Sequence, residues 1–349
     1  MGEDLNGKSG EPAVRVWALT GARAGDNDQV IALSEALGVP FEIKQLEYNR
    51  WRLLGPRLLG RSLMSLTRAS RSEVLAQEPP DLTISGGHRS VPVVQALRHR
   101  SDGRTRSIHV GFPRASPGLF DLVIATPQYP IAEHPNLLRV PYALTTAAMR
   151  HNSPSNDATL ADLPRPRRLI IVGGPNLYWK IDEAALLGTI REALADAEAS
   201  GGCVLVTTSP RTPSPLRRKI AGLLGASFAP SLLASPGKAP PYASLLDAAD
   251  SIRITADSVA MVSDAIWSAK EIALVRVSMR WLGRAAMTIM GLLRPGKPIH
   301  PQDLRFFWRA LEKIGVTERF ARPATPTSEE MDRILVRAAP ILEAIKERG

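Results

Sequence analysis

The chain has 349 residues, enough for two domains at about 150 residues each, and 44% of them are hydrophobic, so each domain can bury a core. Lys and Arg number 44 against 34 Asp and Glu, a net charge of +10, which points to anionic partners: nucleic acid, acidic lipid or a phosphorylated small molecule. The single cysteine, Cys203, excludes a disulfide framework and a cysteine metal site, and aromatic residues at 5% leave no stacking platform for nucleic acid.

Residues 1–12, MGEDLNGKSGEP, carry acids where a targeting peptide is basic, and no apolar stretch follows; they read as a disordered tail and the chain as cytoplasmic. The first strand, VRVWALT at 14–20, runs into TGARAGDNDQ. There Gly21 and Gly25 permit a tight turn, and a helix is expected to start near Asn27 or Asp28. The loop is neither GxGxxG nor a P-loop, which argues against a bound NAD. Residues 50–72, RWRLLGPRLLGRSLMSLTRASRS, hold six arginines and no acid. On a helix starting at Pro56, steps of about 100° put Arg57, Arg61 and Arg68 on one side and Leu59, Leu63 and Leu66 opposite. Such a stripe is either a surface helix packing its leucines on the sheet or a contact with anionic headgroups, where each Arg contributes about 1 kcal/mol.

The strand DLTIS at 81–85 opens into SGGHRS, with Gly86, Gly87 and His88 ahead of a helix whose early turn holds Pro92. A histidine near a helix N-terminus stays neutral and can accept a proton; the alternative is a purely structural His88. SIHVGF (107–112) and DLVIA (121–125) complete the first set of strands, and HNSPSNDATLADLPRPRR, 151–168, is the best interdomain linker. A second set follows: RLIIVGG (168–174), CVLVTT (203–208), SIRIT (251–255) and EIALVRV (271–277). Apolar strands separated by helices predict parallel sheets buried on both faces. The expected fold is α/β: two Rossmann-like, doubly wound domains, 13–150 and 168–322, joined by 151–167 and facing a cleft. A C-terminal segment, 323–349, forms a helix that Thr327 and Glu330 start in capping-box spacing and Pro340 kinks.

Ligands of such sheets bind beyond the carboxyl ends of the strands. In the second domain, Gly173 and Gly174 are expected to let a phosphate approach the backbone, while Ser209 and Arg211 of TTSPRTP supply a hydroxyl and a fork-like cation suited to a diphosphate. Taken alone, Arg211 equally fits an ordinary surface arginine. In TADSVAMVSDA, after Thr255, Asp257 or Ser258 is placed to cap a helix through Met261, leaving N–H groups for an anion. Ser258 and Ser263 add hydroxyls, and Asp264 can hold a ribose. No His, Asp or Glu cluster has metal-ligand spacing, so no metal is expected.

The set Gly21, Gly25 and Gln29 in G-x-x-x-G-x-x-x-Q, with PDLTISGGHRS, GFPRASPGLFDLVIA, VGGPN, TTSPRTP, PPYASLLDAADSIRITADSVAMVSDA and DLRFFWRALEKIGVTERF, resembles the ELM ("elongated mitochondria", mitochondrial-fission) family. The blocks cover most of 14–323. The resemblance implies a GT-B-like fold with the acceptor toward the first domain and a nucleotide diphosphate-sugar donor in the second, held by Gly173, Gly174, Ser209, Arg211, Thr255, Asp257, Ser258, Met261, Ser263 and Asp264. Gly21, Gly25, Gln29, Gly86 and Gly87 would form the acceptor-side loop, with Asp26, Asp28 or His88 as base. The activity implied is a metal-independent glycosyltransferase, with the nucleotide-sugar as co-substrate and no tightly bound cofactor. A lipid-linked acceptor and an anionic membrane surface, met through Arg57, Arg61 and Arg68, would be further partners. Two alternatives stand beside it: a non-catalytic adaptor with a protein partner, as plant members act, and another sugar-nucleotide enzyme such as an epimerase. This chain departs from the family pattern at Asp264, where a glutamate is expected, and at Pro210, where a second arginine is expected.

Overall fold

A computed structural model describes residues 14–149, 157–234, 240–293, 298, 300, 301 and 303–348. The expected tail, 1–12, and residues 151–156 of the expected linker lie outside them. The chain forms two compact units: one takes the described residues up to Ile124, Ile131–Leu138 and those from Arg333 onward, the other Ala125–Pro130 and Arg139–Asp332.

In the first unit β1 (Val16–Thr20) leads into α1 (Ala24–Ala36) and β2 (Phe41–Gln45), followed by two short helices, α2 (Pro56–Leu59) and α3 (Arg68–Leu75). Then come β3 (Leu82–Gly86), α4 (Val91–Arg100), β4 (Arg106–Val110), β5 (Leu122–Ala125) and β6 (Leu137–Arg139). The sheet order is β2-β1-β3-β4-β5-β6, and β2, β1, β3, β4 and β5 pair in parallel. Every residue of β1 is buried, as a strand covered on both faces requires. Leu19 sits opposite Ser85, so β1 and β3 end at the same level. Strand order reverses between these two, and such a switch point opens a crevice at the strands' carboxyl ends.

The arginine-rich segment is not one helix. Gly60, at φ 56°, ends α2 after a single turn, because a left-handed residue cannot continue a right-handed helix. The chain then folds back to bridge Leu66 to Tyr48, and α3 restarts at Arg68 under a Thr67 cap that accepts from Ser70 N at 3.3 Å. Arg57, Arg61 and Arg68 therefore do not share the helix face expected of them.

The second unit contains α5 (Ala158–Ala161), β7 (Arg167–Val172), β8 (Trp179–Ile181), α6 (Glu183–Ser200), β9 (Cys203–Thr208), α7 (Ser214–Gly225) and β10 (Ser231–Ala234). It continues through α8 (Tyr242–Ala248), β11 (Ser251–Thr255), α9 (Val259–Trp267), β12 (Glu271–Val275), β13 (Val277–Met279), α10 (Trp281–Leu293) and α11 (Arg305–Lys313). The last helix, α12 (Thr327–Lys346), runs through Pro340. Five parallel strands lie in the order β10-β9-β7-β11-β12, and β8 and β13 form a separate antiparallel ribbon. The core packs Ile170 and Val172 of β7 and Val204 and Val206 of β9 against Leu186 and Ile190 of α6 and Leu216 and Ile220 of α7. In α6 the four-residue step from Leu186 to Ile190 and on to Leu194 makes one apolar stripe, which Asp182 starts by accepting from Ala185 N and Gly201 ends at φ 68°.

Residues 139–149, assigned by the sequence reading to the first domain, pack in the second unit. Ser263 Oγ accepts from Ala143 N at 2.9 Å, and Trp267 Nε1 donates to Ala143 O at 2.8 Å, which fastens this segment to α9. Residues from Arg333 onward belong with the first unit. Among the described residues no helix is long and apolar enough to cross a membrane.

Candidate functional site

In the second unit β7 lies between β9 and β11, so the loop after β7 meets the loops after both neighbours at the carboxyl ends of the strands. One carboxylate ties the three together. Asp257, whose side chain is fully buried, accepts from Thr255 Oγ1 at 2.6 Å, Gly174 N at 2.9 Å and Arg211 Nη2 at 3.2 Å. Thr255 Oγ1 in turn accepts from Gly173 N at 2.7 Å. Arg211 Nη1 donates to Gly174 O at 3.2 Å, and Thr212 Oγ1, which the sequence reading missed, donates to Gly173 O at 2.5 Å. Burial pushes the Asp257 carboxyl above its ordinary range, against the hydrogen bonds from Thr255 and Gly174 and the Arg211 charge.

These contacts change the role of several expected donor residues. Gly173 and Gly174 are glycines because their neighbours fill the Cβ positions: the Asp257 carboxylate at the first, the Arg211 backbone at the second. Their N–H groups are already bonded, so they bring three loops together rather than opening the backbone to a phosphate. Asp257 does not cap α9. The cap position falls on Ser258, whose side chain makes no cap hydrogen bond, and the first turn of α9, through Met261, is half-buried. The Ser263 hydroxyl works inside the unit, donating to Val259 O at 2.8 Å and accepting from Ala143 N. Ser209 Oγ bonds Arg211 N at 3.2 Å and shapes its own loop. Arg211 remains 44% exposed at its side chain, and Asp264 is half-buried on α9.

The first unit has its own small pocket at the β1/β3 switch point, open to solvent and lined by Gly21, Arg23, Asp26, Tyr48, His88 and Arg89 among others. The helix before it starts earlier than expected, at Ala24, because Asn27 does not cap it. Its side chain closes on Gly21 instead, accepting from the N–H and donating to the carbonyl, each at 2.7 Å. Asp26 therefore falls in the first turn of α1, under Gly87, which at φ 68° has space for no Cβ: one there would meet Asp26 Oδ2 at 2.5 Å. Gly86 is likewise backed by Asp26 O at 3.0 Å.

Desolvation raises the Asp26 pKa against the Arg23 and Arg89 charges. Desolvation, reinforced by Arg114, Arg23 and Arg89, lowers that of His88 to about 4. The imidazole is therefore neutral at physiological pH, through burial and arginines rather than a helix terminus. Behind it His109, fully buried in β4, pairs through Nδ1 with Ser85 Oγ at 2.9 Å, and its pKa falls to about 3. Of the predicted bases, Asp26 and His88 line the pocket and Asp28 does not; Gly25 and Gln29 bond each other along α1, Gln29 Nε2 to Gly25 O at 3.1 Å. Tyr48, whose phenol burial pushes up, enters from the end of β2, an element with no apolar run to mark it. Among the described residues no group of three or more His, Cys, Asp or Glu side chains could hold a metal ion.

Two Rossmann-like units, each with a polar loop site at its switch point, define an α/β protein of the GT-B type. The chain belongs to the mitochondrial fission ELM1 family, whose model matches residues 24–330. It is 24% identical to the mitochondrial fission protein ELM1 of Arabidopsis thaliana over 57% of this chain and 52% of the plant protein, so it spans about half the length of that relative. It is 22% identical to an uncharacterized protein of Rickettsia prowazekii, over 74% of this chain and 82% of that one. Among solved structures, the UDP-GlcNAc 2-epimerase of Methanocaldococcus jannaschii is similar at a TM-score of 0.50, covering 93% of this chain and 99% of that chain at 11% identity, a likeness of fold alone.

Proposed function

We propose that the second unit binds a nucleotide diphosphate-sugar, and that the protein is a glycosyltransferase moving the sugar to a hydroxyl acceptor. The observation that carries this reading is the Arg211–Asp257 corner. A buried carboxylate fixes a guanidinium that keeps 44% of its side chain exposed, beside an α9 first turn with no side-chain cap. Arg211 uses its two Nη atoms on Gly174, Pro175 and Asp257, and a guanidinium has five N–H donors. Its remaining donors and the helix dipole favour the charge that grows on a departing diphosphate. Thr255 and the two glycines hold this corner, and Asp264 supplies the acceptor for a ribose.

Asp26 and His88 supply the base. One of them takes the proton of the acceptor hydroxyl, the oxygen attacks the anomeric carbon, and the bond to the diphosphate breaks with its electron pair. His88 is neutral above pH 4 and so is in the form that accepts a proton. A lipid-linked acceptor at an anionic cytoplasmic membrane face is supported by the basic segment, where Trp51, Leu53, Leu58 and Met64 are exposed among Arg50, Arg52, Arg57 and Arg61.

The second reading is a non-catalytic adaptor on the same fold. It is favoured by the prior use of the Gly173 and Gly174 N–H groups, which leaves a diphosphate fewer backbone donors. A thermal-shift screen with UDP-, GDP-, ADP- and CMP-sugars, repeated on Asp264→Ala, separates the two. A donor present at 100 times its Kd stabilises by about 2.7 kcal/mol, and the shift should shrink in the variant. No shift with any donor would overturn the enzyme reading in favour of the adaptor.

A further inference from the structure

Helix α10 turns its apolar side outward. Its inner side is narrow: a Cβ on Gly283 would meet Tyr178 O at 2.8 Å and Met279 Cγ at 3.0 Å, and Met287, 8% exposed, packs with Trp179 and Leu304. At about 100° per residue, Trp281, Leu292, Ala285, Ile289 and Leu282 fall within an arc of about 100° on the opposite side. Trp281 is 72% exposed, Leu282 37%, Ile289 61% and Leu292 82%, and Ala285 is exposed with them. The outward face of a helix packed on a soluble domain is ordinarily polar. Here Arg284 and Thr288, both exposed, stand only along one edge of the stripe.

The charge around the stripe identifies the occupant. From residue 272 to 302 the sequence has no Asp or Glu; Arg284 is exposed at the stripe's edge, while Arg280 turns inward and donates to Asn176 O at 2.9 Å. A second copy of this face would bring no acid from this stretch to pair with Arg284, so it offers no charge complement. An anionic bilayer complements both features: acyl chains take the leucine and isoleucine, headgroups take Arg284, and an indole such as that of Trp281 sits at headgroup level.

We propose that the outward face of α10 is an interfacial membrane contact for anionic phospholipid. The helix lies along the bilayer surface and does not cross it. The contact stands on α10 alone and depends neither on the donor site nor on the basic segment at 50–61.

The full chain is sedimented with phosphatidylcholine vesicles with and without phosphatidylglycerol, as wild type, Ile289→Glu/Leu292→Glu and Arg57→Gln/Arg61→Gln. The wild type should bind only the anionic vesicles. The Glu pair should weaken binding at least about tenfold, since it puts two anions into the contact, with an unchanged melting temperature because both side chains are exposed. A separate readout is quenching by brominated lipid, which should fall in Trp281→Phe. Wild-type binding by the Glu pair, or unchanged quenching in Trp281→Phe, would overturn the proposal, as would a wild-type dimer that the Glu pair makes monomeric with no vesicle binding by either. Loss of binding only in the arginine pair would assign the membrane to the basic segment and overturn it too. Donor-induced stabilisation measured on the Glu pair reports the nucleotide-sugar reading separately.

Discussion

Asp257 is the residue on which the second unit's loops depend most, and its two simplest substitutions should differ sharply. Asp257→Ala leaves the Gly174 N–H and the Thr255 hydroxyl facing an empty buried space, at about 1–3 kcal/mol for each orphaned donor. Relief from burying a carboxylate offsets part of this, because burial already raises its pKa. A net loss of about 2–4 kcal/mol remains, or about 4–16 °C in the melting temperature of a unit this size. Asp257→Asn keeps an oxygen toward Gly174 and Arg211 and turns its amide nitrogen toward Thr255 Oγ1, so its cost should stay within about 1.5 kcal/mol. The pH dependence has a defined sign. With a folded pKa above the ordinary 3.8, the aspartate's stabilising contribution is present below that value and is lost as pH rises through the folded pKa. The wild type's advantage over Asn should therefore be greatest in acid and shrink toward neutrality. Differential scanning calorimetry of the three proteins from pH 4 to 7 checks this. An alanine variant within about 1 °C of wild type, or an asparagine variant as unstable as the alanine one, would refute the reasoning.

Gly174→Ala should cost about 1–3 kcal/mol by overpacking, since its Cβ would meet the Arg211 carbonyl carbon at 2.5 Å; thermal unfolding reads the loss, and titration calorimetry should show weakened nucleotide binding. Asn27→Ala removes both 2.7 Å bonds to Gly21, about 1–3 kcal/mol, and hydrogen exchange should show the Gly21 amide losing protection. His109 stays neutral in the fold down to about pH 3, whereas in the unfolded chain it takes a proton near its ordinary 6.5. Its contribution is thus present above pH 6.5 and lost as pH falls through the window below it. His109→Asn should flatten that part of the stability profile, as followed by melting temperature between pH 7 and 4.

The apolar central strands were legible in the sequence because a parallel strand covered on both faces needs a continuous hydrophobic run. Val16–Thr20 and Cys203–Thr208 come nearest to that condition, while Leu82–Gly86 and Ser251–Thr255 were marked by Leu82, Ile84, Ile252 and Ile254, all in the core. β2 was not, because an edge strand has one neighbour: FEIKQ buries only Lys44, whose ammonium lies 5.0 Å from the centre of the Trp17 ring. Missing β2 also meant missing Tyr48. The chemistry-bearing loops were legible from their position after strands: Arg211, Asp257 and His88 follow β9, β11 and β3, whereas Asp26 falls inside α1, which starts earlier than expected, and Asp257 ties loops together instead of capping α9. Which groups the fold itself would use was hidden, since it depends on strand order: only with β7 between β9 and β11 does Asp257 reach Gly174 and Arg211. The arginine segment misled for a local reason. Its periodicity was helical, but Gly60 takes the left-handed conformation that ends the helix before Arg61.

The central claim is that the second unit grips a diphosphate through Arg211 and the first turn of α9. Titration calorimetry of UDP, GDP, ADP and CDP and of the matching nucleosides, against wild type and Arg211→Gln, tests it most directly. At least one diphosphate should bind about tenfold or more tightly than its nucleoside, and Arg211→Gln should lose about that factor, the 1.5–3 kcal/mol of a charged hydrogen bond. Equal affinity of the variant for the diphosphate, or no heat with any nucleotide, would contradict it.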